Sequence, residues 1–327
     1  MSEKKINQKY RHAEREVIVI AGPTASGKTS TAIQLCRKIK GEIISADSMQ
    51  IYCGMDIGTA KATIEEQKMV PHHLIDICRP GTSFSVAAYQ ERAVELIRKI
   101  QSKGKVPVVC GGTGQYLSAL ILGLQFTQVP VDLTLRGQLN QRAKMEGLSA
   151  LWQALYQVDP DAAVKIAQSD QKRIVRALEL YIQTGLSKSE HIRRSKEQGP
   201  SFSFISYCLT HDRPVLYERI NQRVEAMLDQ GLADEVKKLI DQKIPIESTC
   251  MQAIGYKEVF AFLNGAQSLE SCSAAIKQAS RRYAKRQLTW FRRMDRLTWF
   301  HNTDPGQTAQ LIADYREARQ IRTGKKG

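Results

Sequence analysis

A doubly wound α/β fold, with a parallel sheet between helices and a wholly helical segment interrupting it, is what this sequence predicts. Three observations carry the prediction. Short apolar runs alternate with helix-patterned stretches in the first part of the chain. The first run passes straight into a glycine-rich turn, GPTASGKT, which opens a helical pattern. From about Leu133 to Arg194 strand-like runs cease, and afterwards they resume.

Taken in order, VIVIAG reads as the first buried strand and Lys28 to about Lys40 as the first helix. EIISA and HLIDI read as the second and third strands, apolar throughout as strands covered on both faces must be. SVAAYQERAVELIRKI is a helix with Ser85 available as N-cap, since a serine oxygen can accept from the free amides of a first turn. VPVVCGG is the fourth strand. QFTQVPVDLTLRGQL then breaks the rhythm and the helical stretch follows, ended by SKEQGPSFSF. ISYCLT returns to strand, Arg213 to Lys243 is a long amphipathic helix interrupted at Gly231, and a second long helix runs from about Leu269 to Asp295 after NGAQS. LTWFH closes the sheet. The expected organisation is a polar N-terminal tail (1–16), a P-loop NTPase-like α/β core (17–130), a helical insertion (131–200), a return to the core with basic helices (201–305) and a C-terminal tail (306–327).

At 327 residues the chain has room for two domains, or for one carrying a large insertion. No apolar run is long enough for a bilayer, and no secretory segment follows MSEKKINQKYRHAERE, so a cytoplasmic protein is expected. The seven cysteines are dispersed without a C-x-x-C pair and read as buried small hydrophobes. No Cys/His spacing suits structural zinc. The net charge is +15, and Ser271–Gly327 alone holds thirteen Lys/Arg against four Asp/Glu. Such a surface attracts phosphate polymers, though a general solubility charge would look the same in composition.

The turn matches G-x-x-x-x-G-K-[ST]. The segment Gly22, Pro23, Thr24, Ala25, Ser26 and Gly27 can wrap a diphosphate, with every residue but Pro23 offering an amide N–H. Lys28 adds a point charge, and the Thr29 hydroxyl is a candidate ligand for Mg2+. The commonest owner of such a cradle is an ATP-using kinase or NTPase, and Asp76 in HLIDI sits where a Walker-B carboxylate would be expected. Neither reading accounts for a basic helical half of the chain.

Two further strand ends point at the same edge. SADSMQIY places Asp47 just past the second strand, where it could bind Mg2+, take a proton from a nucleophile, or merely cap the next turn. GGTGQY follows the fourth strand, with Gly111, Gly112 and Gly114 permitting close backbone approach and Thr113 presenting a hydroxyl.

At about 100° per residue, Lys172, Arg173 and Arg176 share one side of DQKRIVRALELY, opposite Ile174, Val175, Leu178, Tyr181 and Ile182. RRYAKRQLTWFRRM behaves likewise. Arg281, Arg282, Lys285, Arg286, Arg292 and Arg293 lie together, with Tyr283, Trp290, Phe291 and Met294 turned toward a core. Each is either an ordinary solvated face or a surface for an anionic polymer.

The series GPTASGKT, DSMQIY, DIGTAK, PHHLID, GGTG-Y, RALE, AIGYKE and YAKRQLTWFRR, in this order from Gly22 to Arg293, resembles the bacterial tRNA dimethylallyltransferase (tRNA isopentenyltransferase) family. The resemblance implies that the phosphate loop holds dimethylallyl diphosphate. It also implies transfer of the dimethylallyl group to N6 of the adenosine 3′-adjacent to the anticodon, with diphosphate leaving alongside Mg2+. Asp47 then matches the family's general base and Thr113 its threonine beside the reacting centre. Lys28 and Arg223 match groups on the diphosphate, although Arg223 in RINQRVEAM could also be a solvated helix residue.

The resemblance further maps tRNA contacts onto Asp47, Ser48, Met49 and Gln50, and onto Lys172, Arg173, Ile174, Val175 and Arg176. A third segment is Gln252, Ala253, Ile254, Gly255, Tyr256 and Lys257. The fourth comprises Lys285, Arg286, Gln287, Leu288, Thr289, Trp290, Phe291 and Arg292, with Thr113 and Arg136 as single contacts near the flipped base. Two residues depart from the family pattern: Lys172 stands in DQKR where glutamine is usual, and Gln115 stands in GGTGQY where an apolar residue is usual. The zinc finger of eukaryotic members is not found, so a bacterial origin is expected. The expected partner is the tRNA anticodon stem-loop, with no membrane, and the chain is expected to act as a monomer. The related adenylate isopentenyltransferases use the same cradle on free AMP, but a mononucleotide has no need of two cationic helix faces.

Overall fold

The structure, a computed structural model, describes residues 16–124, 132–295 and 297–324. The expected N-terminal tail, apart from Glu16, lies outside the described residues, as does the start of QFTQVPVDLTLRGQL. Six strands, β1 (Glu16–Ala21), β2 (Gly41–Ser45), β3 (His72–His73), β4 (Val106–Gly111), β5 (Ser203–Thr210) and β6 (Leu297–His301), form one sheet in the order β3-β2-β4-β1-β5-β6. Every pairing is parallel. Central β1 pairs Ile18 with both Val108 and Ile205, and all three are buried, as the near-continuous apolar runs require.

Contacts group the described residues into two units, one drawn from Met1–Ser118 and Phe202–Gly327, the other from Ala119–Ser201. In the α/β unit, helices α1 (Lys28–Ile39), α2 (Ile64–Met69), α3 (Val86–Ser102) and α4 (Gly114–Ile121) follow strands or their loops, α4 running on into the other unit. Ser85 caps α3 by accepting from the Ala88 amide. The helical unit holds α5 (Leu133–Glu146), α6 (Leu148–Val158), α7 (Pro160–Lys165), α8 (Gln171–Thr184) and α9 (Lys188–Gln198) around Leu139, Leu151, Leu155, Ile174 and Leu178. The chain returns to the α/β unit through α10 (Arg213–Asp229), α11 (Leu232–Asp241), α12 (Tyr256–Leu263), α13 (Leu269–Phe291) and α14 (Pro305–Gly324). Gly231, at φ 95° between α10 and α11, takes the left-handed conformation that ends one helix and starts the next.

Four expectations are corrected. HLIDI is not a five-residue strand: β3 stops at His73, and Leu74 and Asp76 take positive φ values of 61° and 52°. Asp76 is therefore no carboxylate at the end of an apolar strand. It bonds Lys61, which also pairs with Asp56. The C-terminal tail is instead α14, whose Ala309 and Ile312 join the core under α1. Ile182 is 54% exposed and Trp290 43% exposed, so neither helix turns all of its large apolar groups inward. Cys53 is exposed and Cys78 partly so, while the other five cysteines are buried. No helix among the described residues is long and apolar enough to cross a membrane.

Candidate active site

The phosphate loop follows β1, the loop bearing Asp47 follows β2, and the GGTG turn follows β4, so three polar strand ends meet at one edge of the sheet. Glycine is required where these loops touch. A Cβ on Gly111 would lie 2.2 Å from the Ala46 carbonyl oxygen, and one on Gly22 would lie 2.5 Å from that of Leu209. Thr113 joins two of the loops: its amide donates to Ala46 O (3.1 Å), and its Oγ1 accepts from the Ser48 amide (3.0 Å).

Asp47 is both a cap and an open acid. Its Oδ1 accepts from the amides of Met49 (2.9 Å) and Gln50 (3.4 Å), which holds the carboxylate in place. Oδ2 accepts from none of the described residues. Lys28 and Arg223 lie within electrostatic reach of Asp47. Desolvation is the main cause that lowers the Lys28 pKa, to about 8, and Arg223 lowers it further while Cys110 and Asp47 act against the drop. Desolvation likewise lowers the Arg223 pKa, with Asp47 opposing. Two cations partly stripped of water beside one acid form an anion site with a charge deficit that a diphosphate would fill.

Gly27, Lys28, Thr29, Arg219 and Arg223 line one side of an open cleft of about 940 Å³. Its far wall is the DIGTAK segment and Asp76. Neither Asp47 nor Thr113 lines this cleft, although Asp47 acts electrostatically on Lys28. Glu235, which sequence reasoning missed, shapes the far wall. Its carboxylate accepts from the amides of Asp56, Ile57 and Gly58 (2.8, 2.8 and 3.1 Å) and from the Tyr256 hydroxyl (2.6 Å). Thr59 O in turn accepts from Arg223 (3.4 Å) and from the Gln50 amide (3.3 Å).

Several candidate RNA contacts prove to be framework. Ile174, Val175, Tyr256, Gln287 and Phe291 are buried, and the Gln50 amide is taken up by Ser45, Thr59 and Ala60. Their neighbours Lys172, Arg173, Arg176, Gln252, Lys257, Lys285, Arg286, Thr289 and Arg292 are exposed, and so is Gln115. Arg281 bonds Asn221 (2.7 Å), and the Arg286 guanidinium lies over the Tyr283 ring (5.5 Å). Tyr283 itself was assigned to the core. Its hydroxyl lies beside Thr113 and Gln287, and burial, then Asp47, pushes its pKa up. In the helical unit, fully buried Glu179 holds Arg136 (2.8 Å) and Arg176 (2.9 Å). With Lys172, Asn140 and Gln171 these arginines border a second cavity of about 970 Å³.

Two amide side chains from late in the chain brace the phosphate loop. Gln287 Oε1 accepts from the Thr24 amide (2.8 Å), and Asn302 Nδ2 donates to Ser26 O (2.7 Å). Asn302 Oδ1 also accepts from Thr31 (3.3 Å). No local pattern announces either bond, because the partners lie 263 and 276 residues apart.

A sequence model described as IPP transferase matches residues 50–294. The tRNA dimethylallyltransferase of Carboxydothermus hydrogenoformans is 49% identical over 87% of this chain and 91% of its own length. That of Bacillus subtilis is 44% identical, over 90% and 93%. Among solved structures, a full-length tRNA isopentenylpyrophosphate transferase from Bacillus halodurans aligns with TM-score 0.71 at 41% identity, covering 95% of this chain and 98% of that one. A eukaryotic dimethylallyltransferase acting on tRNA aligns with TM-score 0.81 at 28% identity, covering 93% and 80%.

Proposed function

This chain belongs to the tRNA dimethylallyltransferase (IPP transferase) family and transfers a dimethylallyl group to tRNA, and from that premise we propose which of its residues perform each task. The donor is dimethylallyl diphosphate, with its diphosphate in the Gly22–Thr29 cradle. The acceptor is N6 of the adenosine 3′-adjacent to the anticodon. The observation that supports this arrangement is the meeting of desolvated Lys28 and Arg223 with an Asp47 whose Oδ2 is open.

N6 is a weak nucleophile because its lone pair is delocalised into the purine. As N6 bonds to C1 of the allyl group, the C1–O bond breaks and its electron pair leaves with diphosphate. The N6 proton passes to Asp47 Oδ2, and a positioned base of this kind contributes about 10²–10⁴-fold in rate. The charge growing on the leaving group is met by Lys28, Arg223 and loop amides already oriented by the fold. Thr113 holds the Asp47 loop against the GGTG turn through the Ser48 amide.

A magnesium ion suits this site. Thr29 is on the cleft wall beside Lys28, and among the described residues no group of three or more His, Cys, Asp or Glu offers an all-protein cage. Mg2+ is ordinarily held by few protein oxygens together with substrate phosphates. When bound it would neutralise charge on the departing diphosphate, with Thr29 as its protein ligand.

An adenine stacked in an anticodon loop cannot reach a sheet edge, so the base must be extruded. The exposed cations of α8 and α13 then hold the loop's phosphates. Free AMP would engage neither helix. The test is incubation with labelled dimethylallyl diphosphate, Mg2+ and unmodified tRNA, followed by digestion to nucleosides. Label is expected on N6 of the adenosine next to the anticodon. Label at any other atom or position would refute the assignment of the acceptor, and label on free AMP in preference to tRNA would favour the mononucleotide relatives.

A further inference from the structure

One face of α13 is spent entirely on the loops of the active site. Tyr283, Gln287 and Trp290 recur at helical spacing, and each engages the segment from Gly112 to Ser118. The Tyr283 hydroxyl lies beside Thr113. The Gln287 Nε2 donates to Gly112 O (2.9 Å), and the Trp290 Nε1 donates to Ser118 Oγ (3.0 Å). The fit is tight. A Cβ on Gly112 would lie 2.3 Å from the Gln287 amide nitrogen, and one on Gly114 would lie 2.5 Å from the Trp290 ring. Exposed Lys285 lies on the opposite face of the same helix, with exposed Arg282 and Arg286 between the two.

Of the three, only Gln287 also reaches the phosphate loop, through the Thr24 amide. Its side chain is 6% exposed, and its oxygen and nitrogen are both committed, one to each loop. Buried between the two loops, the amide is not presented to a nucleotide. We propose that Gln287 is a positioning residue of the donor site: it locks the phosphate loop to the GGTG turn, so that cradle and Thr113 keep one spacing, and it does not contact tRNA. Replacing it frees the partly buried Thr24 N–H and the buried Gly112 carbonyl, and the cradle loses its register with the turn. This rests on the reading of Gly22–Thr29 as the cradle for dimethylallyl diphosphate.

Gly112 allows the contact to be broken from the other side. Its φ lies outside the range that favours glycine, and among the described residues only Gln287 comes within 3.4 Å of a Cβ placed there. Gly112→Ala should therefore push the Gln287 amide away and mimic its loss. The experiment compares wild type, Gln287→Ala, Gly112→Ala and the double variant. It measures affinity for inorganic diphosphate and dimethylallyl diphosphate by calorimetry, affinity for an anticodon stem-loop RNA, and thermal unfolding. Each single variant is expected to weaken donor binding about tenfold and to leave stem-loop affinity within about twofold. The double variant should bind donor no worse than Gln287→Ala, because the alanine then has nothing to displace. Unchanged donor affinity in folded Gln287→Ala overturns the proposal, as does selective loss of stem-loop binding. If the singles fold poorly, a double variant whose unfolding temperature and donor affinity show fully additive losses also overturns it. Failure of the wild type to bind either diphosphate would instead sink the cradle assignment, and the role of Gln287 with it.

Discussion

Lys28 and Arg223 in the α/β unit are half-buried, and desolvation lowers the pKa of each, whereas Lys172, Arg173 and Arg176 in the helical unit face water. The side chain of Arg173 is 69% exposed and that of Arg176 is 45% exposed. Arg173 and Arg176 already pair with Asp170 and Glu179, so the two groups of cations differ in partners as well as in exposure. A charge held in a low-dielectric cleft interacts strongly and over short range, so it can act on the single diphosphate that leaves. A charge in water is screened beyond about 8–10 Å, gains little from any one contact, and works by number. The first arrangement suits chemistry, the second suits gathering a polyanion.

The largest expected effect separates the two tasks. Asp47→Ala should lower kcat by at least about a hundredfold, while stem-loop affinity stays within about twofold. Single-turnover kinetics and filter binding would show it, and near-full turnover would return Asp47 to a capping role only. Next in size is the pH response of Lys28. Its pKa is lowered to about 8, so below that pH the amine is charged and above it the charge is lost. The bound diphosphate favours the charged form, so donor affinity should fall by up to about tenfold per pH unit as pH rises through about 8. Calorimetry of inorganic diphosphate binding on either side of pH 8 would show this, and a flat profile would mean that the cation does not bind the donor.

In the helical unit the effects should be smaller and salt-sensitive. Arg173→Ala with Arg176→Ala should weaken tRNA about tenfold, leave kcat unchanged, and reduce the slope of log affinity against log salt by about 1.4, two single-strand phosphate contacts. An unchanged slope would remove α8 from the RNA surface. The smallest change should come from Lys172→Gln, which restores the residue usual in the resembled family. The slope should fall by no more than about 0.7, with turnover unaffected, and a gain in discrimination between bases beside the anticodon would show that the lysine replaced a base-reading amide.

Much of this was legible in the sequence because it is local. β1, β2, β4 and β5 are short apolar runs bounded by turns, the phosphate loop is a spacing of eight residues, and Ser85 marks a helix start that the structure uses. HLIDI misled because its composition is strand-like while its backbone turns through positive φ at Leu74 and Asp76, which apolar periodicity does not register. α14 was missed because few of its residues are buried and its surface is highly polar. Glu235, Gln287 and Asn302 escaped for a common reason. They are polar residues buried against backbone groups far away in the chain, and burial of that kind leaves no trace in local pattern. A glutamine on a basic helix reads as an RNA contact until its partners are seen.

The tie from Asn302 to Ser26 carries a consequence for how the protein is made. Residues 22–29 emerge from the ribosome early, but the asparagine that steadies them comes near the end, in a turn between β6 and α14. A Cβ on Gly27 would meet that amide at 2.5 Å, so nothing bulkier than glycine leaves it room. During translation the loop is left without this brace until residue 302, 276 residues after Ser26, has been added. A polypeptide that stops short of position 302 lacks this bond from Asn302 to Ser26.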